Sequence, residues 1–240
     1  MKKKLVTSSP PRWQGFTPAT LEFLHRLAQN NNREWFHAHK PQFEAQVITP
    51  ALDFIEAMAA PLGRISSHFL CIPKRVGGSL FRIYRDTRFA HDKRPYKTNI
   101  GIHFRHASNF DVHAPGYYFH IGVDECFLAC GMWHPERPAL NRIRTAIVEQ
   151  PRQWGSARRS IARAPHLEFS GETLKRVPHD IPVPEDHPWR EDLKRKDLIV
   201  LREFDEGVLY SKDLLDFTCA TYAAATPFMR FLCATQGAHF

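Results

Sequence analysis

Apolar and polar positions along the 240-residue chain change their period twice, and the changes divide it into thirds. The first third has a helical period. Thr17-Pro18 reads as an N-cap followed by proline in the first turn, and Leu21, Leu24, Leu27 and Ala28 follow at helical spacing up to Asn30-Asn31-Asn32. A second helix is predicted over residues 33–46, with Trp35, Phe36, His39 and Phe43 on or near one face. Pro41 interrupts it, because proline lacks the N–H that a helix interior needs, so a kink is expected near Lys40. Thr49-Pro50 repeats the cap signal, Leu52, Ile55, Met58, Ala59 and Leu62 follow it, and Gly63 reads as a C-cap.

The middle third switches to period two. Phe81, Ile83, Thr87 and Phe89 alternate with Arg82, Tyr84, Asp86 and Arg88, which predicts a strand over 79–89. Ile100, Ile102 and Phe104 alternate with Gly101, His103 and Arg105. Tyr117, Phe119, Ile121 and Val123 alternate with Tyr118, His120 and Gly122. Residues 127–133 form a further candidate strand. Turn signals at Arg94-Pro95 and Pro115-Gly116, with short connections, predict antiparallel pairing.

The final third returns to helix over 135–148 and over the basic stretch 152–164. A proline-rich connection then leads to the apolar run Leu198-Ile-Val-Leu201, and Ser211 caps a closing helix that Thr226-Pro227 interrupts. No repeat or long linker divides the chain. The expected architecture is therefore one α+β domain over 15–240, a central antiparallel sheet packed with N-terminal and C-terminal helices, behind a flexible basic tail over 1–14.

Charge refines this picture in one segment. Between Arg82 and Lys97 there are six Lys/Arg against two acids, a net +4 in sixteen residues threaded with aromatic and aliphatic side chains. Charges woven between core-type residues must be paired with each other or with a ligand. On a strand, Arg82, Tyr84, Asp86 and Arg88 would share one face, with two guanidiniums flanking one carboxylate. Asp86 would then hold one fork while the other stays free for an anion, since the planar guanidinium matches phosphate or carboxylate bidentately. The turn at Arg94-Pro95 would bring Lys93 and Lys97 back over the sheet, with Thr98 and Asn99 as hydrogen-bonding groups. The candidate ligand-binding set is Arg82, Asp86, Arg88, Lys93, Lys97 and Asn99. Tyr84, Tyr96 and His120 are candidates for hydrogen bonding or proton transfer, histidine because its ordinary pKa suits proton transfer near neutrality.

Three readings of the segment remain open: a site for a phosphate- or carboxylate-bearing small molecule, a nucleic-acid-binding surface of basic residues interleaved with aromatics, and a charged network that only stabilises the fold. The net charge of +8 favours acidic partners in either of the first two. His103, His113 and His120, with Asp111 and Asp124 nearby, show no metal-ligand spacing, and phosphate-loop, dinucleotide and nucleophile-elbow signatures are absent, so no metal or cofactor is assigned and catalysis stays undecided. Five cysteines, an odd number without Cys-x-x-Cys, read as buried free thiols in a reducing compartment. No apolar run approaches the ~18 residues of a membrane span, and the basic start lacks the apolar core of a secretory signal, so a cytoplasmic protein without a membrane partner is expected.

The residues Phe16, Leu24, Leu27, Asn31-Asn32 and Glu34-Trp35-Phe36, then Phe81-Arg82-Ile-Tyr-Arg85-Asp86-Thr87-Arg88-Phe89, Asp92-Lys93, Pro95-Tyr96-Lys97-Thr98-Asn99 and Pro115-Gly116-Tyr117-Tyr118, together resemble an uncharacterised bacterial and fungal family known as domain of unknown function 2461. The resemblance extends over most of residues 16–235. It implies a soluble cytoplasmic domain and supplies no reaction, cofactor or catalytic residue.

Overall fold

A computed structural model of the chain describes residues 13–108, 111 and 113–240. The basic tail expected over 1–14 falls outside the described residues up to position 12. At Trp13 the chain is already docked, its ring set edge-on against Phe16 and Phe54 at 5.2 and 5.3 Å between centroids.

The N-terminal helices follow the helical spacing, with different ends. α1 spans Pro18–Gln29 and buries Leu21, Phe23, Leu24 and Leu27. The predicted helix over 33–46 breaks at His39 into α2 (Arg33–Ala38) and α3 (Lys40–Phe43), where Pro41 sits in the first turn of the new piece. α3 runs through a π-turn at Glu44–Ile48 into α4 (Thr49–Ile65). Thr49 is therefore helical rather than a cap, and α4 continues past Gly63 to Ile65.

Six strands form one antiparallel sheet in the order β1-β2-β3-β4-β6-β5. They are β1 (Phe69–Leu70), β2 (Asn99–His106), β3 (Gly116–Gly122), β4 (Cys126–Met132), β5 (Glu168–Ser170) and β6 (Leu198–Phe204). The alternation read in β2 and β3 is the register observed: Ile102 faces Phe119 and Phe104 faces Tyr117, all fully buried. β1 and β5 are too short to show a period, and neither was expected.

The helices α5 (Arg137–Glu149), α6 (Pro151–Ala162), α7 (Glu206–Leu209), α8 (Leu214–Ala224) and α9 (Thr226–Thr235) complete the chain. The helix contacts run to one face of the sheet: Phe54 of α4 lies 4.6 Å from Phe119, Tyr222 of α8 lies 4.6 Å from Tyr117, and Trp154 of α6 lies edge-on to Phe169. Burying this many aromatic and aliphatic side chains, each worth roughly 1.5–3 kcal/mol, supplies the main driving force for the layer. The opposite face carries Asn99, Gly101, His103 and Arg105 of β2, Gly116, Tyr118, His120 and Gly122 of β3, and Phe127 and Ala129 of β4. Its rings are only partly buried at Tyr118, His120 and Phe127.

The segment 79–89 is not a strand. It touches the sheet through an isolated bridge, Leu80 to Ile102, and closes on itself through another, Tyr84 to Tyr96. The ladder cannot extend because Pro95 has no N–H to give, and because Asp86 and Asp92 accept from the backbone N–H groups of Arg88 and Arg94 two residues on. The result is an irregular hairpin, residues 83–97, held by Arg85 N–H to Pro95 O and Lys97 N–H to Ile83 O.

Candidate functional site

The hairpin sorts the sequence-predicted residues into two groups. In the outer part, the carboxylates are consumed locally. Arg88 forks onto Asp86 through Nε (3.0 Å) and Nη2 (2.7 Å), which holds the Asp86 carboxyl down to about 2. Asp92 is clasped by Arg94 and Arg85 and is likewise held well below the ordinary carboxylate range, and Lys93 donates to the carbonyl of Thr87. The strand expected over 79–89 is absent, yet Arg82, Tyr84, Asp86 and Arg88 all remain exposed, alternating with half-buried Phe81, Ile83, Arg85 and Thr87, and Asp86 feels the charge of Arg82 as well as that of Arg88. Tyr84 is 54% exposed, whereas Tyr96 is buried and stacks on Phe36 at 4.1 Å between centroids. Asn31, at the α1–α2 junction, accepts from Tyr96 N–H and donates to Tyr96 O, so the hairpin is pinned by its backbone to the helical layer.

The base of the hairpin is different. Phe81 lies over Gly101 on the partly exposed sheet face, beside His103 and Tyr118, and two cations approach its ring: Lys97 Nζ at 5.4 Å and the Arg105 guanidinium at 5.6 Å from the centroid. Burial lowers the pKa of Lys97, and the nearby charge of Arg82 adds to the effect. Among the described residues, none of Arg82, Lys97 and Arg105 has a carboxylate within ion-pair distance, and the buried Nε of Arg105 has no hydrogen-bond acceptor. Asn99 opens β2 opposite Gly122, on the same sheet face.

Next to this cationic group runs a row of polar rings made possible by glycine. A Cβ at Gly116 would fall 2.1 Å from His103 Nε2, and one at Gly101 would fall 2.6 Å from the Tyr118 hydroxyl, so both rings lie flat over neighbouring backbone. Tyr118 Oη and His120 Nδ1 are hydrogen-bonded at 3.0 Å, and His120 stacks on Phe127 at 4.5 Å. Burial pushes His120 and His103 down to about 4 and Tyr118 up to about 12, so all three are neutral near pH 7. His103 and His120 share the face, with Tyr118 between them rather than in contact with each other. Among the described residues no group of three or more His, Cys, Asp or Glu converges as a metal would require.

The structure therefore places Lys97, Asn99 and His120 on or beside the sheet face at the hairpin base and Asp86, Arg88, Lys93 and Tyr84 in the outer hairpin, with Tyr96 buried against Phe36 and Arg82 electrostatically coupled to both Lys97 and Asp86. It adds Phe81, Arg105 and Tyr118. The signal for Arg105 was present, as the charged member of the Gly101-His103-Arg105 alternation, but nothing in the sequence says that β2 delivers it to the hairpin base.

The chain belongs to the family described as conserved hypothetical protein (DUF2461), whose model matches residues 19–231. That match spans α1 to α9 and includes both halves of the site. No curated protein and no solved structure matches the chain. No helix among the described residues is long and apolar enough to cross a membrane.

Proposed function

We propose that the chain binds a small molecule bearing a phosphate or carboxylate group at the base of the hairpin, on the sheet face opposite the helices. The observation that carries this reading is the pair of cations, Lys97 and Arg105, on the Phe81 ring with no carboxylate within ion-pair distance among the described residues, and with the charge of Arg82 close enough to act on Lys97. Like charges held together on a partly dehydrated surface cost free energy that an anion offsets, and charge-assisted hydrogen bonds to it are roughly twice as strong as neutral ones. Lys97 and Arg105 grip the anion, Arg82 adds long-range attraction, and Asn99 completes the polar contacts. Asp86, Arg88 and Lys93 act one step removed by fixing the shape of the hairpin. The neutral Tyr118–His120 pair lies beside the grip, suited to hydrogen-bond a ligand hydroxyl or to relay a proton.

The test is thermal unfolding of the full chain with phosphate, sulfate, sugar phosphates and dicarboxylates, beside Lys97→Met and Arg105→Met. A ligand at ~100 times its Kd adds about 2.7 kcal/mol, which is readily seen. The expected result is stabilisation by at least one small anion, lost in both variants. Absence of any anion effect in the parent chain overturns the reading.

One observation favours the nucleic-acid alternative: Phe89 at the hairpin tip is 95% exposed, with Arg88 beside its ring. Aromatic stacking with flanking cations is how single strands are held without sequence preference. A short oligonucleotide belongs in the same panel. Tight binding that falls steeply with salt and is lost in Phe89→Ala would replace the small-molecule reading.

A further inference from the structure

We propose a second binding site, a cleft on the helix-covered side of the sheet that takes the carboxylate of a small acid with an apolar body. It lies between the end of α6, the end of β6 and α8, has a volume of about 400 Å³, and is lined by Arg202, Arg163, Thr221, Ser160, Leu167 and the methyl groups of Ala220 and Ala224, among others. That volume is in the range of small-molecule sites.

Arg202 carries the argument. Its register partner is Leu128, which is fully buried in the core, so the side chain projects beneath the helices while Lys97, Arg105 and Phe81 lie on the opposite face. Its guanidinium sits 4.0 Å over the ring of Phe217 and donates through Nη1 to Thr221 Oγ1 at 3.1 Å. That is one bond from a group with five N–H donors. No carboxylate pairs with it among the described residues, and burial lowers its pKa. A partly dehydrated arginine with unused donors facing a cleft is suited to an anion.

The two hydroxyls in the wall narrow the chemistry. Thr221 Oγ1 donates to Phe217 O (2.9 Å) and Ser160 Oγ donates to Ala157 O (2.8 Å), so both protons are turned into helix carbonyls. Charge recognition is left to Arg202 and to Arg163, which has no side-chain partner among the described residues. A fork of parallel N–H groups matches a planar carboxylate. The remaining walls, Ala164, Pro165, Leu167, Ala220 and Ala224, offer only apolar contact, which selects a hydrocarbon or aromatic body behind the acid.

The experiment is methyl NMR of the full chain, following Ala220 and Ala224 during titration with phenylacetate, phenyl phosphate and acetate. Phenylacetate is expected to give saturable shifts at these methyls, with acetate binding about tenfold or more weakly because it lacks the apolar body. Arg202→Met should weaken phenylacetate by at least about tenfold, the scale of one charge-assisted hydrogen bond. Ala220→Phe, at an exposed position on the cleft wall, should block it sterically. Lys97→Met should leave it unchanged, which separates this cleft from the hairpin site. If Arg202→Met does not fold by circular dichroism, the exposed Arg163→Gln and Ala220→Phe decide. No saturable shift with phenylacetate, retained affinity in the folded cleft variants, or tighter binding of phenyl phosphate than phenylacetate overturns the proposal.

Discussion

Two regions of this molecule use the same ingredients, arginine, aspartate and aromatic rings, and reach opposite results. In the C-terminal half, Asp192 is buried and accepts from Trp154 Nε1 at 2.8 Å, while Arg195 and Arg158 approach it at 3.3 and 3.2 Å, the latter as an ion-pair contact rather than an aligned hydrogen bond. Both arginines also lie over Phe169. Asp197, likewise buried, accepts from the backbone N–H groups of His134 and Glu172, and Arg144 donates to the carbonyls of Leu193 and Arg195. There the buried carboxylates have their cations and N–H donors within the chain. At the base of the hairpin, Phe81 also meets two cations, Lys97 and Arg105, but among the described residues no carboxylate lies within ion-pair distance of either. The comparison teaches that an acid within reach closes a cation–aromatic cluster inside the chain, and the proposed anion site lies where such an acid is missing.

The largest effect that would sharpen this contrast is at Asp192. Asp192→Ala leaves Trp154, Arg158 and Arg195 without their shared acceptor and is expected to cost ~3–5 kcal/mol in denaturant unfolding. A loss below ~1 kcal/mol would break the contrast from the structural side.

Next is the pH dependence of the sheet face. Burial depresses His103 and His120 to about 4, below their unfolded value near 6.5. The unfolded chain therefore binds protons first, and stability is full above about pH 6.5 and falls as the pH drops toward about 4, by ~3 kcal/mol per histidine. His120→Asn should flatten that slope in unfolding measurements between pH 4 and 7. An unchanged slope would show that His120 is not held neutral.

Lys97→Met probes the other side of the comparison. It removes a half-buried, unpaired charge, so the melting temperature of the empty chain is expected to hold or rise while anion-induced stabilisation disappears. A marked fall in melting temperature would make Lys97 part of the structural framework. The smallest effect is expected at Arg88, whose exposed pair with Asp86 is screened by water. Arg88→Ala should leave the melting temperature within scatter at pH 7. With both hairpin carboxyls lowered by their arginines, the contribution of these pairs is present above about pH 4 and lost as the pH falls through about 2 for Asp86.

Much of the fold was legible because it rests on local rules. Period-two patterning in 100–105 and 117–123 gave strands whose inward faces are the observed core, since a one-residue slip would expose every apolar side chain. Helical spacing placed α1 and α4 despite wrong ends, because amphipathic burial outweighs a single cap or glycine. Residues 79–89 misled because alternation was read without the competitors of the ladder: Pro95, and aspartates that bond their own backbone. Of the candidate site, Arg82, Lys97, Asn99 and His120 were visible as residue types. The separation of Lys97, Asn99 and His120 from Arg88 and Tyr96 was not, since ion pairing two residues apart and stacking on Phe36 depend on where the chain turns.

The sequence by itself determined an α+β chain with an antiparallel centre, and a basic, aromatic-threaded segment too charged to be ordinary core, because periodicity and composition are local properties. The tertiary structure alone decided which charges have partners. Whether Arg105 meets Phe81, whether Asp192 closes on Arg158 and Arg195, and whether Arg202 faces a cleft depend on contacts between residues tens of positions apart, and Coulomb and desolvation energies follow distance in space rather than along the chain.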